Sequence, residues 1–121
     1  MGTTFETLIG KAIEWKGRHH SPQGDFGNIS THTVCYETEN SCYVIAQGKL
    51  AGEARYQYKK MDARMAALIY YPELYQGRRD VVLYAMLDFE KQTDRAVILA
   101  GGEPFAIAEG SMRMVETPSR P

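Results

Sequence analysis

From Ile29 towards the C-terminus the chain either alternates apolar and polar residues with a period of two or runs continuously apolar. Turn signals interrupt it roughly every eight to twelve residues. Period two marks strands, because successive side chains on a strand point to opposite faces. Strands are expected at about 29–37, 41–48, 53–59, 63–71, 80–89, 94–100 and 105–109, with a last one near 111–116. The interruptions are Glu39-Asn40, Gly48 to Gly52, Lys59 to Asp62, Pro72 to Arg79, Glu90 to Thr93, Gly101-Gly102-Glu103-Pro104 and Gly110. They are rich in the residues that turns use. Lys11 to Lys16 also reads as a short strand, which brings the count to eight or nine. Hairpin-length connections with almost no helix favour an all-β, antiparallel up-and-down barrel over a sandwich.

The N-terminal segment carries a different signal. Thr3 with Glu6 three residues on forms a capping box, and Phe5, Leu8 and Ile9 share a helical face, so a short helical turn is expected over 3–9. The spacing extends to Ala12 and Ile13, so a helix reaching Trp15 is an alternative that Gly10 opposes. Residues 17–28 hold three glycines, a proline and His19-His20 and read as a loop, with the histidines solvated. The tail 116–121 contains two prolines and is expected to fray. At 121 residues the chain corresponds to one domain, residues 1–121.

Composition excludes several classes. With 14 basic against 15 acidic side chains the net charge is -1, so no global field draws in nucleic acid or an anionic membrane. Apolar runs such as Ala66 to Tyr71 are far short of the roughly 20 residues that cross a bilayer. Met1 to Gly10 has no basic n-region and is interrupted by Glu6, so it does not read as a secretory signal, and a cytoplasmic location is expected. Cys35 and Cys42 are then expected as free thiols. A four-residue loop between them would set them face to face, whereas a two-residue loop would make them diagonal neighbours. Neither belongs to a zinc spacing, and His19, His20 and His32 form no HxxxH or HxH pair, so no metal or cofactor is expected.

Loop lengths carry one strand face to the next, because residues opposite each other across a hairpin share a face. With two-residue loops at 39–40 and 50–51, Tyr36 opposes Tyr43, Tyr43 opposes Tyr58 and Ile45 opposes Tyr56. A turn centred on Lys60-Met61 sets Tyr56 against Met65. One face then collects Tyr36, Tyr43, Ile45, Tyr56, Tyr58, Met65, Ile69 and Tyr71, and the other Arg55, Gln57 and Arg64. An odd loop or a bulge would invert a strand. The structural account of this face is that tyrosines pack well in strands. The functional account is a pocket, since an eight-strand barrel holds one small ligand. Tyr36, Tyr43, Tyr56, Tyr58, Met65 and Tyr71 are the candidate ligand-binding residues.

Two carboxylates are candidates for acid/base chemistry. Asp88 lies in a greasy run beside Phe89, where burial would raise its pKa, although a strand end before Glu90-Lys91 equally suits a solvated carboxylate. Glu73 follows Pro72 in a long loop, where a residue at a barrel mouth would sit. No phosphate-binding glycine loop, nucleophile elbow or Ser/His/Asp order is present. Strand 80–89 is apolar on both faces, with Val81, Leu83, Ala85, Leu87 and Phe89 in one row and Val82, Tyr84, Met86 and Asp88 in the other. Only one row points inward, so the N-terminal turn or a second subunit must cover the other, and a homodimer is expected.

The stretch Ala67-Leu68-Ile69-Tyr70-Tyr71-Pro72-Glu73, followed after a loop by a strand ending in Leu87-Asp88-Phe89, resembles the later strands of lipocalin-like (calycin) barrels. It looks most like those of the molybdenum cofactor biosynthesis protein F and phenolic acid decarboxylase group. Tyr56-Gln57-Tyr58 and the opening Leu8-Ile9-Gly10 with Trp15 fit the same plan, and the likeness spans about half the chain. It implies a barrel, usually dimeric, holding a small aromatic or carboxylate-bearing ligand. Phenolic acid decarboxylases need no cofactor and use tyrosines with an arginine and a glutamate inside the barrel. Here Tyr43, Tyr56 and Tyr58 would supply the phenols. On the register above Arg55 and Arg64 point outward, so that catalytic set is not carried over. The expected function is binding of a small, hydrophobic or aromatic molecule, or a carboxylate-bearing one, in a tyrosine-lined pocket. The alternatives are a cofactor-independent, decarboxylase-like acid/base enzyme and a dimerising interaction module.

Overall fold

The alternating pattern closes into a barrel. The structure, a computed structural model, describes residues 6–21, 26–75 and 77–121, the side chains of 26–29 excepted. Among these residues the strands are β1 (Ala12–His20), β2 (Phe26–Tyr36), β3 (Ser41–Ala46), β4 (Lys49–Lys60), β5 (Met65–Pro72), β6 (Val81–Asp88), β7 (Thr93–Ala100) and β8 (Glu103–Val115). Each pairs antiparallel with the next, and β1 pairs with β8, so no sheet edge is left open. The expected all-β, eight-strand, up-and-down barrel is what forms.

Several boundaries differ from expectation. The strands expected at 105–109 and 111–116 are one, β8, which runs through Gly110. The loop expected over 17–28 is mostly strand, since β1 extends to His20 and β2 begins at Phe26. No helix occurs among the described residues: Ala12–His20 is strand rather than helix, and the first part of the expected N-terminal turn, 3–5, lies outside them. No helix there is long and apolar enough to cross a membrane. The tail does not fray. Thr117 Oγ1 donates to the Gly10 carbonyl at 3.0 Å, Arg120 pairs with Glu37 and Glu53, and its guanidinium lies 4.6 Å from the centre of the Tyr43 ring.

Two hairpin turns with an odd number of residues, together with a bulge between β3 and β4 at Val44/Ile45 that returns β4 to its expected parity, decide which residues point inward. Between the paired Tyr36 and Cys42 lie residues 37–41, where Thr38 Oγ1 accepts the backbone N–H groups of Asn40 and Ser41 at 3.2 and 3.0 Å. Between Lys60 and Ala66 lie residues 61–65, where Asp62 Oδ1 accepts the N–H groups of Arg64 and Met65 at 2.7 and 2.8 Å. In each case a short polar side chain caps backbone donors inside the loop, which stabilises the longer turn over a two-residue one. Each extra residue inverts the strand that follows. The third hairpin turns at Gln47-Gly48, with φ of 53° and 75°, and not at 50–51 as expected.

The interior follows from this register. Leu8 plugs one end of the barrel, Ile13, Tyr36, Tyr56, Leu68 and Leu87 fill that half, and Ile98 is buried towards the opposite end. Each such side chain contributes roughly 1.5–3 kcal/mol by burial. Trp15 lies over two facing glycines, Gly17 of β1 and Gly110 of β8. A Cβ on Gly17 would sit 2.2 Å from the Glu109 carbonyl oxygen and 2.6 Å from the indole. One on Gly110 would sit 2.4 Å from the Lys16 carbonyl oxygen and 2.7 Å from the indole.

Cys35 faces outward beside Tyr43 and Cys42 faces inward beside Tyr36, so the two thiols lie on opposite faces of the sheet and both are free. Outside, Ile69, Tyr84, Val97 and Ile107 stand in register across β5–β8. The last three are 46%, 49% and 55% exposed, too open to be covered by another part of the barrel.

Candidate functional site

The centre of the barrel is lined by alanine. Ala85, Ala96 and Ala108 face one another across β6, β7 and β8, and Ala54 stands on β4 opposite Pro72 of β5. These side chains are too small to meet in the middle. They leave a cavity of about 370 Å³ towards the end of the barrel that carries the Gln47-Gly48 turn and the 73–80 connection. That volume is within the range of small-molecule sites.

Polar groups converge on this space. Trp15 is paired with His32 across β1 and β2, so their rings stack with centres 5.0 Å apart, and His19 sits edge-on to the indole at 5.3 Å. The indole Nε1 donates to the backbone carbonyl of Asp94 at 3.0 Å, tying β1 to β7. Opposite, the hydroxyls of Tyr36 and Tyr70 meet at 2.5 Å. Burial lowers both histidines, His32 to about 4, so the imidazoles are uncharged at neutral pH.

Asp94 is the centre of this arrangement. It is the second residue of β7, flanked by Leu87 and Gly110, and it lines the cavity, half-buried and open to that space. Burial raises its pKa to about 7, and among the described residues no hydrogen bond or ion pair reaches the carboxyl. Its charge also acts on Tyr36 and Tyr70, whose hydroxyls burial already holds well above the usual phenol range. A carboxyl that is half ionised near neutrality, in an apolar chamber beside aromatic rings, can receive a cation, donate to an acceptor, or exchange a proton with a bound molecule.

The residues expected at the site are only partly here. Tyr36, Tyr56 and Tyr58 point inward, but Tyr36 and Tyr56 lie in the packed half, where Tyr56 donates to the Thr38 carbonyl at 2.5 Å. Tyr43, Met65 and Tyr71 are on the outer face, as are Ile45 and Ile69, because the odd turns at 37–41 and 61–65 invert β3 and β5. Tyr43 is buried under the C-terminal tail, and Tyr71 lies beneath Arg55 with the guanidinium 5.2 Å from the ring centre. Asp88 is buried as a turn cap, accepting the N–H groups of Glu90 and Lys91 at 3.0 Å each and pairing with Arg64 at 3.2 Å. Glu73 is exposed and does not line the cavity.

Tyr70, Asp94, His19 and His32 were not singled out as site residues from the sequence, and His19 was read as a solvated loop residue. A signal was present. In 94–100 the row Asp94, Ala96, Ile98, Ala100 alternates with Thr93, Arg95, Val97, Leu99, and an acid heading an otherwise apolar row marks an inward carboxylate. No lysine or arginine lines the cavity among the described residues, and no group of three or more His, Cys, Asp or Glu side chains there is placed to hold a metal.

No family model and no curated protein matches the chain. A similar solved structure is described as a "putative beta-lactamase from Burkholderia vietnamiensis"; it superposes with a TM-score of 0.64 and 20% identity over 93% of this chain and 100% of that one. At that identity the likeness concerns architecture, and the two chains share a fold.

Proposed function

We propose that the barrel binds a small aromatic molecule in its central cavity, in the manner of lipocalin-like (calycin) proteins. The observation that carries this reading is the cavity of about 370 Å³, bounded by an alanine belt and walled by Trp15, His32 and Tyr70. A folded core normally fills such a space, because each void forfeits dispersion contacts. The closed up-and-down topology and the resemblance to the molybdenum cofactor biosynthesis protein F and phenolic acid decarboxylase group support the same reading, and two free thiols accord with a cytoplasmic location. Of the two ligand types expected, the aromatic one finds rings to stack on, whereas a carboxylate finds no lysine or arginine among the described lining residues and two imidazoles that burial holds neutral.

Ala96→Leu places a larger side chain in the cavity and is expected to abolish ligand binding while the barrel stays folded. Native mass spectrometry of freshly purified protein, compared with denaturing spectra, should show a non-covalent adduct on the wild type and none on the variant. Equal adducts on both would rule out this cavity as the site.

A second reading, acid/base catalysis, is favoured by one observation, the Asp94 pKa of about 7, which suits a proton acceptor at physiological pH. The exposed row Tyr84, Val97 and Ile107 further supports a homodimer. Val97→Glu is then expected to shift sedimentation from dimer to monomer; a wild type that sediments as a monomer at high concentration would end that proposal.

A further inference from the structure

We infer that the ligand is an organic cation, an amine or quaternary ammonium attached to an aromatic or hydrocarbon body, whose charge pairs with the carboxylate of Asp94. The inference rests on the ligand-binding reading and names its ligand class.

A carboxylate lining a largely apolar cavity is costly unless something pairs with it, and among the described residues nothing does. The titratable groups around the chamber supply no positive charge at neutral pH. His19 of β1 and His32 of β2 are held neutral by burial, Cys42 of β3 and Tyr70 of β5 are uncharged, and so is Tyr36 beside Tyr70. From β6 and β8 come Leu83, Ala85 and Ala108, which carry no charge. Glu53 of β4 lines the chamber, but Arg120 neutralises it from outside. The net field inside is therefore negative, repelling an anion and attracting a cation. The walls are suited to one, since Trp15, Tyr70 and Tyr75 present ring surface, and a cation over an indole or phenol face is stabilised by the ring quadrupole.

Pairing with a cation needs Asp94 ionised. In the free protein the carboxyl is largely protonated below pH 7, so binding below that pH releases a proton and affinity rises with pH. Protonation of His19 or His32 in acid would act in the same direction, so the contribution of Asp94 is isolated by substitution.

Three probes of one size separate the possibilities: benzyltrimethylammonium, a permanent cation; benzyl alcohol, neutral; and benzoate, an anion. Binding is followed by calorimetry and by fluorescence of Trp15, the one tryptophan in the chain. At pH 8 the cation is expected to bind roughly tenfold or more tighter than the alcohol, and about tenfold weaker at pH 6 than at pH 8. Asp94→Asn should bring the cation to the affinity of the alcohol, reduce the pH dependence to what His19 and His32 contribute, and leave the alcohol unchanged; Asp94→Ser serves the same purpose should the asparagine variant not fold. If the alcohol binds but the cation binds no tighter, or if benzoate binds tightest, the cation assignment is wrong while the cavity still holds ligand. If no probe binds and Ala96→Leu behaves as the wild type, the ligand-binding reading itself fails and takes the assignment with it.

Discussion

Asp94→Asn is expected to make the protein more stable at pH 8, by up to about 4 kcal/mol, although it removes a native side chain. The folded state holds the Asp94 carboxyl at about 7 against an ordinary value of 3.8, because burial penalises its charge and no described group compensates. Between those values the native protein keeps a proton that the unfolded chain has lost, so stability falls as pH rises from about 4 to 7. His32 acts with the opposite sign. Burial lowers it from 6.5 to about 4, so the unfolded chain takes up a proton that the native state refuses, and stability rises over that window. The depressed pKa of His19 adds to the His32 effect.

Between pH 5 and 6.5 the two slopes oppose each other, and urea unfolding of the wild type should show little change. Asp94→Asn should unmask a rise of about 2 kcal/mol from pH 5 to 6.5, and His32→Asn a fall of about 2 kcal/mol from pH 5 to 7. Glu6, Glu14, Asp62 and Asp80 are each held below their usual range by hydrogen-bonding partners and so act chiefly below this window. An Asp94→Asn protein with the wild-type stability at pH 8 would mean that solvent or a counter-ion already relieves the carboxylate.

Gly17→Ala is expected to lower stability by about 3 kcal/mol or more, while Gly52→Ala leaves it unchanged or raises it by about 0.4–1 kcal/mol. The contrast isolates packing from backbone freedom, since both glycines lie in strands. At Gly17 the added methyl would stand 2.2 Å from a backbone oxygen and 2.6 Å from Trp15, and neither neighbour is the loose end of a flexible chain. At Gly52 it meets nothing within 4 Å. Accommodating the methyl at Gly17 means parting β1 from β8, the pair that closes the barrel, or displacing the indole that bonds to the Asp94 carbonyl. Urea midpoints of the two variants measure this directly. Equal midpoints would show that the seam between β1 and β8 is looser than its geometry.

The positions of the turns near 90–93 and 101–104, and the assignment of 80–89 to two opposite rows, were legible because turn residues and period-two alternation are local properties, whereas the turn expected at 59–62 lies at 61–65. Val81, Leu83, Ala85 and Leu87 point inward as a row, and Tyr84 and Met86 are exposed on the other. The tyrosine face was half legible. Tyr36, Tyr56 and Tyr58 share the interior, whereas Tyr43 and Tyr71 do not, because the parity of a strand depends on one residue more or less in the preceding turn. That residue is set by whether Thr38 and Asp62 cap the loop from within, a choice among nearly equivalent local hydrogen-bond patterns.

What the sequence by itself determined is the architecture: alternation and turn chemistry act over a few residues, and eight such hairpin-linked strands have no better way to satisfy their edges than to close. What only the tertiary structure decided is the site. Trp15, His32, Tyr70 and Asp94 stand far apart in the chain and meet only once closure and register are set, and the alanines of β6, β7 and β8 become a cavity only when they face one another. The physical reason is that burial, which lifts the Asp94 carboxyl towards 7 and leaves the chamber unfilled, is a property of what surrounds a residue in space and not of its neighbours along the chain.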